Sequence, residues 1–326
     1  MTAGLAAGGY QGPPELTVAR AFTSWTLDWP ALIVMLAAAV LYLAGVRRAR
    51  RAGGWPAGRA VLFLAGGVGL AAVAIMGFPG VYYGVLFYAR AVQTILLLMA
   101  VPLFLALGRP LALLAATAPR AGRWLQAVLG SRAARVLTFP AVTAFVLVAV
   151  PFLLYFTAWY EAGFHSSLVR ELTYLALLAP GWVFFWTLLR MDPVPKAYPY
   201  LVSLWVTGIE VVGDAILGLA IIADQHLIAG DYYRAVGRPW GPSLRTDQVL
   251  GGGVIWLLGD LIGLPFLAAM LIVMIREDES EAKVIDAELD ASDAAHGQAG
   301  PEPGETARPW WESDPRFAGR FRPPAS

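Results

Sequence analysis

The sequence has no cysteine, only three histidines, and charge on only 14% of its residues. Without cysteine there is no disulfide framework, no thiolate metal site and no cysteine nucleophile. The histidines are isolated: His165 and His226 fall in connections between apolar stretches, and His296 lies near the C-terminal end. Lone histidines in such places read as surface residues. The scarcity of charge, set against 58% hydrophobic residues and a mean hydropathy of +0.61, excludes an ordinary soluble domain and points to a polytopic membrane protein. The net charge of +1 identifies no partner by itself, and nucleic acid is not expected as one. Residues 1–28 lack a basic segment leading directly into a short apolar core, so no cleavable signal peptide is expected there. There is no repeat of fixed period.

What the sequence has instead is apolar length. Seven windows are long enough to cross roughly 30 Å of hydrocarbon at about 1.5 Å per residue. They fall at 29–46, 60–78, 85–107, 136–157, 167–189, 200–223 and 249–275. The fold class expected is an all-α polytopic membrane protein of seven transmembrane helices. Arg47, Arg48, Arg50, Arg51 and Arg59 fill the first connection, Arg109, Arg120, Arg123, Arg132 and Arg135 the third, and Arg190 and Lys196 the fifth. The connections at 79–84 and 158–166 have no Lys or Arg. The positive-inside rule then predicts an outside N-terminus and a cytoplasmic C-terminus. The 224–248 connection dissents, with Arg234, Arg238 and Arg245 alongside Asp224, Asp231 and Asp247.

Three regions follow: an extracytoplasmic N-terminal segment (1–28), a seven-span membrane domain (29–275) and a cytoplasmic tail (276–326). Within the second, 109–135 reads as an interfacial helix, with Leu111, Leu113, Leu114, Trp124, Leu125 and Val128 opposed by arginines. The tail is acidic and Ala-rich over 277–293 and rich in Pro, Gly and Arg over 297–326, so it is expected to be largely disordered.

Ionisable residues inside the apolar windows mark the candidate site. Arg90, Arg170, Glu210, Asp214 and Asp260 each interrupt a run of Leu, Val, Ala and Phe. A charge near the bilayer centre costs about 2.5–3.5 kcal/mol on the insertion scale, so five of them uncompensated would rival the roughly 5–15 kcal/mol net stability of a protein. Helical spacing groups them: Arg90, Gln93 and Thr94 share one face, as do Arg170, Thr173 and Tyr174; Glu210 and Asp214 are one turn apart, and so are Trp256 and Asp260. Counted from the outer ends of their spans, the arginines lie ~5–8 Å deep and the two aspartates ~13–17 Å. Arginine can reach across that difference, so Arg–Asp pairs between helices are predicted. Glu171 faces another direction, near the outer interface. Such a network fixes helix register, or forms a site for an ion, a cofactor group or a partner's helix. Scattered Met76, Met99, Met270 and Met274 read as packing residues.

From Leu16 to about Ile275 the chain resembles the CtaG-type cytochrome c oxidase assembly family of seven-span membrane proteins. The stretches that carry the resemblance are Trp25-Thr26-Leu27-Asp28, Tyr42-Leu43-Ala44-Gly45, Trp55-Pro56-Ala57-Gly58-Arg59, Val92-Gln93, Leu107-Gly108-Arg109-Pro110, Thr138-Phe139-Pro140, Tyr155-Phe156-Thr157, Gly181-Trp182-Val183-Phe184-Phe185-Trp186 and Asp192-Pro193-Val194-Pro195. Asp247-Gln248 with Gly251-Gly252 and Trp256 completes the set. The resemblance implies a non-enzymatic role in oxidase assembly, linked to maturation of its copper centre. It implies oxidase subunits or other assembly factors as partners alongside the lipid bilayer, copper as the associated ion, and a bacterial-type cell membrane as the location.

It also implies intramembrane histidines that this chain lacks. Arg90 and Thr94 stand at the two histidines of the third span, Arg170 at that of the fifth and Asp214 at that of the sixth. Gln93, Asp247, Gln248 and Trp256 follow the family pattern. Copper(I) favours thiolate, thioether and imidazole, and guanidinium does not coordinate, so copper binding here is not expected. Two other functions suit the same residues. One is an ion or proton-coupled transporter using the charge network. The other is an intramembrane aspartyl protease built on Gly213-Asp214 and Gly259-Asp260, against which Val211 and Leu257 replace the first glycine of the usual motif.

Overall fold

The computed structural model describes residues 10–196 and 198–297. Among them every regular element is a helix. Six helices are long and apolar enough to cross a membrane: Trp29–Arg51, Ala57–Tyr82, Phe87–Thr117, Ser167–Leu189, Leu201–Ala223 and Leu244–Ile272. The bent pair Pro140–Phe156 and Trp159–His165, which turns by 66°, is a broken span or a re-entrant loop and makes a seventh crossing when taken as one span. In chain order these are the first to seventh spans, the bent pair being the fourth. The chain is a multi-pass helical membrane protein.

The third span is the core of the bundle: 67% of its apolar stretch is buried, against 28% for the first and seventh. Leu97, Leu98, Met99 and Val101 are all enclosed there. The helix widens to a π-turn over Leu96–Ala100, immediately before Pro102. Proline has no N–H, and its ring collides with the carbonyl four residues back in a straight α-helix, so a local widening there is expected. That carbonyl belongs to Leu98, and Gly181 of the fifth span sits directly against it, in space a side chain would need. The sixth and seventh spans meet at a reciprocal glycine contact: a Cβ on Gly218 would lie 2.6 Å from the Gly252 carbonyl oxygen, and one on Gly252 2.7 Å from that of Gly218. Small residues that let backbones touch are the usual means of joining membrane helices, where lipid offers no hydrophobic driving force.

The outward faces carry exposed apolar side chains, such as Leu41, Phe145, Leu172, Val212 and Leu261, as a lipid-facing surface does.

Two expectations change. The 109–135 segment is three short helices, Pro110–Thr117, Pro119–Leu129 and Arg132–Leu137. Pro119 and Gly130 break the continuity, the first by lacking an N–H and the second by its low helix propensity. Leu113 and Leu125 point inward, whereas Leu114, Trp124 and Val128 are exposed. The tail is the second change. The last helix is continuous from Leu244 to Gly297, so residues 276–297 are helical rather than disordered. The Ala, Glu and Lys residues that make this segment polar are also strong helix formers. Residues 298–326, including Trp310 and Trp311, lie outside the described residues. The chain divides into two compact units, Met1–Leu271 and Ile272–Ser326, and every candidate site residue belongs to the first.

Gly181→Leu should force the third and fifth spans apart and lower the thermal unfolding midpoint in detergent by several degrees. The same change at Gly253, where a side chain would meet open space, should shift it far less.

Candidate functional site

The polar residues do not form one network. They divide into a cationic outer cluster and a deeper acidic one, with a separate set that clamps helix ends.

Arg90 is 1% exposed, and neither terminal guanidinium nitrogen has a hydrogen-bond partner or a carboxylate. It is held by rings. Its guanidinium carbon lies 5.5 Å from the centre of Tyr83, 5.3 Å from Tyr160 and 5.5 Å from Phe164. Gly163 leaves the space in which the guanidinium sits. The cage is itself braced: Tyr160 and Tyr233 share a hydrogen bond of 2.8 Å, and Phe164 stacks on Tyr232 at 4.1 Å. Burial pushes the Tyr233 phenol above its ordinary pKa, so it stays a neutral donor. One turn beyond Arg90, Thr94 donates to the Arg90 carbonyl and accepts from the Tyr155 hydroxyl at 3.1 Å. Gln93, on the neighbouring face, donates to the Ala74 carbonyl and ties the third span to the second.

Arg170 reaches Asp28 at 3.5 Å and Glu171 at 3.4 Å. The predicted Arg–Asp pairs across helices are therefore absent: neither Arg90 nor Arg170 pairs with Asp214 or Asp260 among the described residues. Glu171 turns toward Arg170 rather than away. Asp28 also accepts from the Ala31 N–H as the N-cap of the first span, with Pro30 in the first turn. A nearer acid at the same membrane level wins over one a further turn or two down. Tyr174 is buried beside this cluster and makes no hydrogen bond among the described residues.

The acids lie together deeper in the bundle. Glu210 and Asp214, one turn apart on the sixth span, are 1% and 3% exposed, and both face the seventh span, which carries Asp260. Their carboxyls face glycines of the seventh span: Asp214 packs against Gly259, and Glu210 lies 3.2 Å from where a Cβ on Gly263 would stand. No cationic side chain pairs with any of the three among the described residues. Trp256 is 36% exposed and lies outside this pocket of acids.

Asp247 and Gln248, both 1% exposed, are clamps. The Asp247 carboxylate accepts from the Phe87 and Tyr88 N–H groups, both at 3.1 Å, and from Arg238 at 3.1 Å. It thus caps the third span from the start of the seventh. Gln248 accepts from the Ile228 N–H and donates to the His226 carbonyl, fixing the preceding connection. Asp192 does the same for the short helix Pro110–Thr117 that follows the third span, accepting from the Leu111 and Ala112 N–H groups at 3.1 and 2.9 Å. Burial raises the Asp192 carboxyl from its ordinary pKa, against the lowering effect of those N–H groups and Arg109.

Sequence reasoning missed Asp28, Asp192 and Arg238 as partners, and the aromatic cage. Asp28 was legible as a helix start, from Asp followed by Trp-Pro and an apolar run. The cage and its braces assemble rings from three separate segments and had no local signal.

These features define a polytopic membrane protein with a divided polar interior and no group of three His, Cys, Asp or Glu side chains placed to hold a metal ion among the described residues. The family described as cytochrome c oxidase caa3 assembly factor (Caa3_CtaG) matches residues 40–277, and the chain belongs to that family. It is 30% identical over 295 residues to uncharacterized proteins of Mycobacterium bovis and Mycobacterium tuberculosis, covering 87% of this chain and 44% of each relative. It is 29% identical over 293 residues to an uncharacterized protein of Mycobacterium leprae, with the same coverage. The chain thus spans less than half the length of these curated relatives. No solved structure gives a significant match.

Two substitutions should separate clamp from site. Asp247→Ala leaves buried Arg238 and two helix N–H groups without their acceptor and should cost about 3–5 kcal/mol, read as a lower unfolding midpoint in detergent. Glu210→Gln removes an uncompensated buried acid and should leave the midpoint unchanged or raise it.

Proposed function

We propose that this chain is a non-catalytic membrane accessory in the assembly of a cytochrome c oxidase. Its part concerns maturation of the oxidase copper centre, and it acts without holding copper among its own spans. Membership of the assembly-factor family over residues 40–277 supports the first part. The donor set supports the second, and one observation carries it. At the positions where the resemblance implies copper-ligating histidines stand two arginines, a threonine and an aspartate. Arg90 is enclosed by rings, Arg170 is ion-paired with Asp28 and Glu171, Thr94 is hydrogen-bonded to Tyr155, and Asp214 lies with Glu210. Guanidinium has no lone pair to give, and a buried cation repels copper(I). These residues do not fit the ion.

What they fit is recognition. A guanidinium desolvated by aromatic rings, with its terminal nitrogens unpartnered, keeps full donor capacity for an acidic or carbonyl group brought by an oxidase subunit or another assembly factor. The orientation with the N-terminus outside places this end of the bundle on the extracytoplasmic side. On this orientation the 224–248 connection is extracytoplasmic, and its three arginines are occupied within the protein. Arg234 is bound to Asp231, Arg238 to Asp247, and Arg245 to the carbonyls of Asp224 and Ile222.

A second reading rests on the buried acids. Glu210, Asp214 and Asp260 without a counter-ion are what a proton or cation pathway uses. Proton flux into proteoliposomes that disappears in Asp260→Asn would establish it.

The test of the first reading is complementation. Membranes of cells lacking this chain should lose assembled, copper-replete oxidase; the wild type should restore it and Arg90→Met should not, although Arg90→Met folds. Copper(I) titration of the purified protein should show no stoichiometric intramembrane site. Tight one-to-one binding, or a full rescue by Arg90→Met, would count against the proposal.

A further inference from the structure

Between Trp29 and Tyr160 the sequence contains no aspartate, glutamate or lysine; every charge in that stretch is an arginine. Most of those arginines have no carboxylate partner among the described residues. Arg109 borrows Asp192, and Arg59 lies over the Trp55 ring at 4.9 Å. Arg48, Arg120 and Arg123 are exposed and make no ion pair or hydrogen bond among the described residues. The contrast with Arg234, Arg238 and Arg245, all of them engaged, is a contrast between the two ends of the bundle.

Those three free arginines line one cavity of about 470 Å³, together with Thr117, Ala118 and Pro119. It adjoins a second cavity of about 430 Å³, and the two share Arg48, Thr117 and Ala118. The second is a mostly apolar groove between the first span and the helix Pro110–Thr117, lined by Ala38, Leu41 and Gly45 on one side and by Leu111 and Leu114 on the other. A basic chamber therefore opens onto an apolar groove.

The dimensions match one leaflet. Arg48 lies nineteen residues after Trp29, about 28 Å along the helix, which puts it at headgroup depth if Trp29 marks the opposite surface. Ala38, at the far end of the groove, is ten residues nearer the middle, about 15 Å from Arg48 and so close to half of a roughly 30 Å hydrocarbon core. Exposed Trp124, on the same helix as Arg120 and Arg123, is the amphipathic ring expected at that boundary.

We infer that this groove is a binding site for an anionic glycerophospholipid, with the phosphate and headgroup held by Arg48, Arg120 and Arg123 and one acyl chain lying along Ala38, Leu41 and Leu114. The charge decides the class: three unpaired guanidinium groups select a net negative headgroup over a zwitterionic one. The groove decides the source, since a free phosphate uses none of it. The site would fix the first span and the 109–137 helices to one leaflet, independently of what the chain does in oxidase assembly.

The experiment uses the full chain purified in detergent, with binding read by native mass spectrometry and by thermal stabilisation. The probes are phosphatidylglycerol, phosphatidylcholine of the same chain length, and inorganic phosphate. Phosphatidylglycerol should bind at least tenfold more tightly than phosphatidylcholine, and inorganic phosphate should neither bind measurably nor compete. R48Q and the double variant R120Q/R123Q should each weaken phosphatidylglycerol, by roughly fivefold for each arginine lost. Both involve exposed, unpartnered side chains, so the fold should stand. Ala38→Phe, which fills the groove and leaves every arginine in place, should weaken phosphatidylglycerol as well. Equal binding of the two lipids, unchanged preference in R120Q/R123Q, effective competition by phosphate, or unaltered affinity in Ala38→Phe would each overturn the assignment.

Discussion

The structure depends on capping two helix starts with carboxylates that come from far along the chain. The third span is the most enclosed of the crossings and carries Arg90, Gln93 and Thr94, yet neither its own start nor the start of the helix Pro110–Thr117 that follows it has a local side-chain cap. Distant carboxylates do that work. Asp247 closes the N–H groups at Phe87 and Tyr88, where the third span begins, and Asp192 closes those at Leu111 and Ala112, where the next helix begins. Free N–H groups at a helix start attract negative charge, and in a low-dielectric surrounding that attraction is strong enough to set the register of the whole span. Once the register is set, Pro102 fixes where the helix widens, and the widened turn fixes where Gly181 of the fifth span must sit.

That register also explains why the interior charges separate. Arg90 is positioned among rings contributed by the loop before its own span, by the bent fourth span and by the connection before the seventh. Arg170 is positioned at the start of the fifth span, level with Asp28 at the start of the first. Both cations are therefore satisfied, or left deliberately bare, at one end of the bundle. Glu210, Asp214 and Asp260 remain deeper, against the glycine face of the seventh span. A protein that needed these charges only for helix register would pair them with each other. Keeping a guanidinium against aromatic faces without a carboxylate preserves its donor capacity, the feature on which the proposed recognition role rests.

Arginine serves three distinct purposes along this chain, and the surroundings decide which. Arg238 is a structural ion-pair partner, 2% exposed at its side chain and bound to Asp247. Arg90 is a buried and unpaired cation. Arg48, Arg120 and Arg123 are exposed at the rim of an apolar groove and have no carboxylate partner among the described residues.

Much of this was legible before any coordinates. Apolar windows of about twenty residues fix the all-α membrane class, because only a helix or closed barrel satisfies its backbone in lipid, and the seven windows correspond to the six straight spans and the bent pair. Helical spacing correctly put Arg90 beside Thr94 and Glu210 beside Asp214, since residues three and four apart share a face whatever the tertiary fold. The break at Pro119, the bend after Phe156 and the helical continuation to Gly297 required the structure, because local propensities compete there too evenly. Above all, the partners of the charges were decided by the tertiary structure. Sequence gives the depth of a residue along its own span, but an ion pair also depends on which spans are neighbours and on how each is rotated. Those two quantities come from packing, and packing put Asp28 next to Arg170, Asp247 next to Arg238, and the rings of Tyr83, Tyr160 and Phe164 around Arg90.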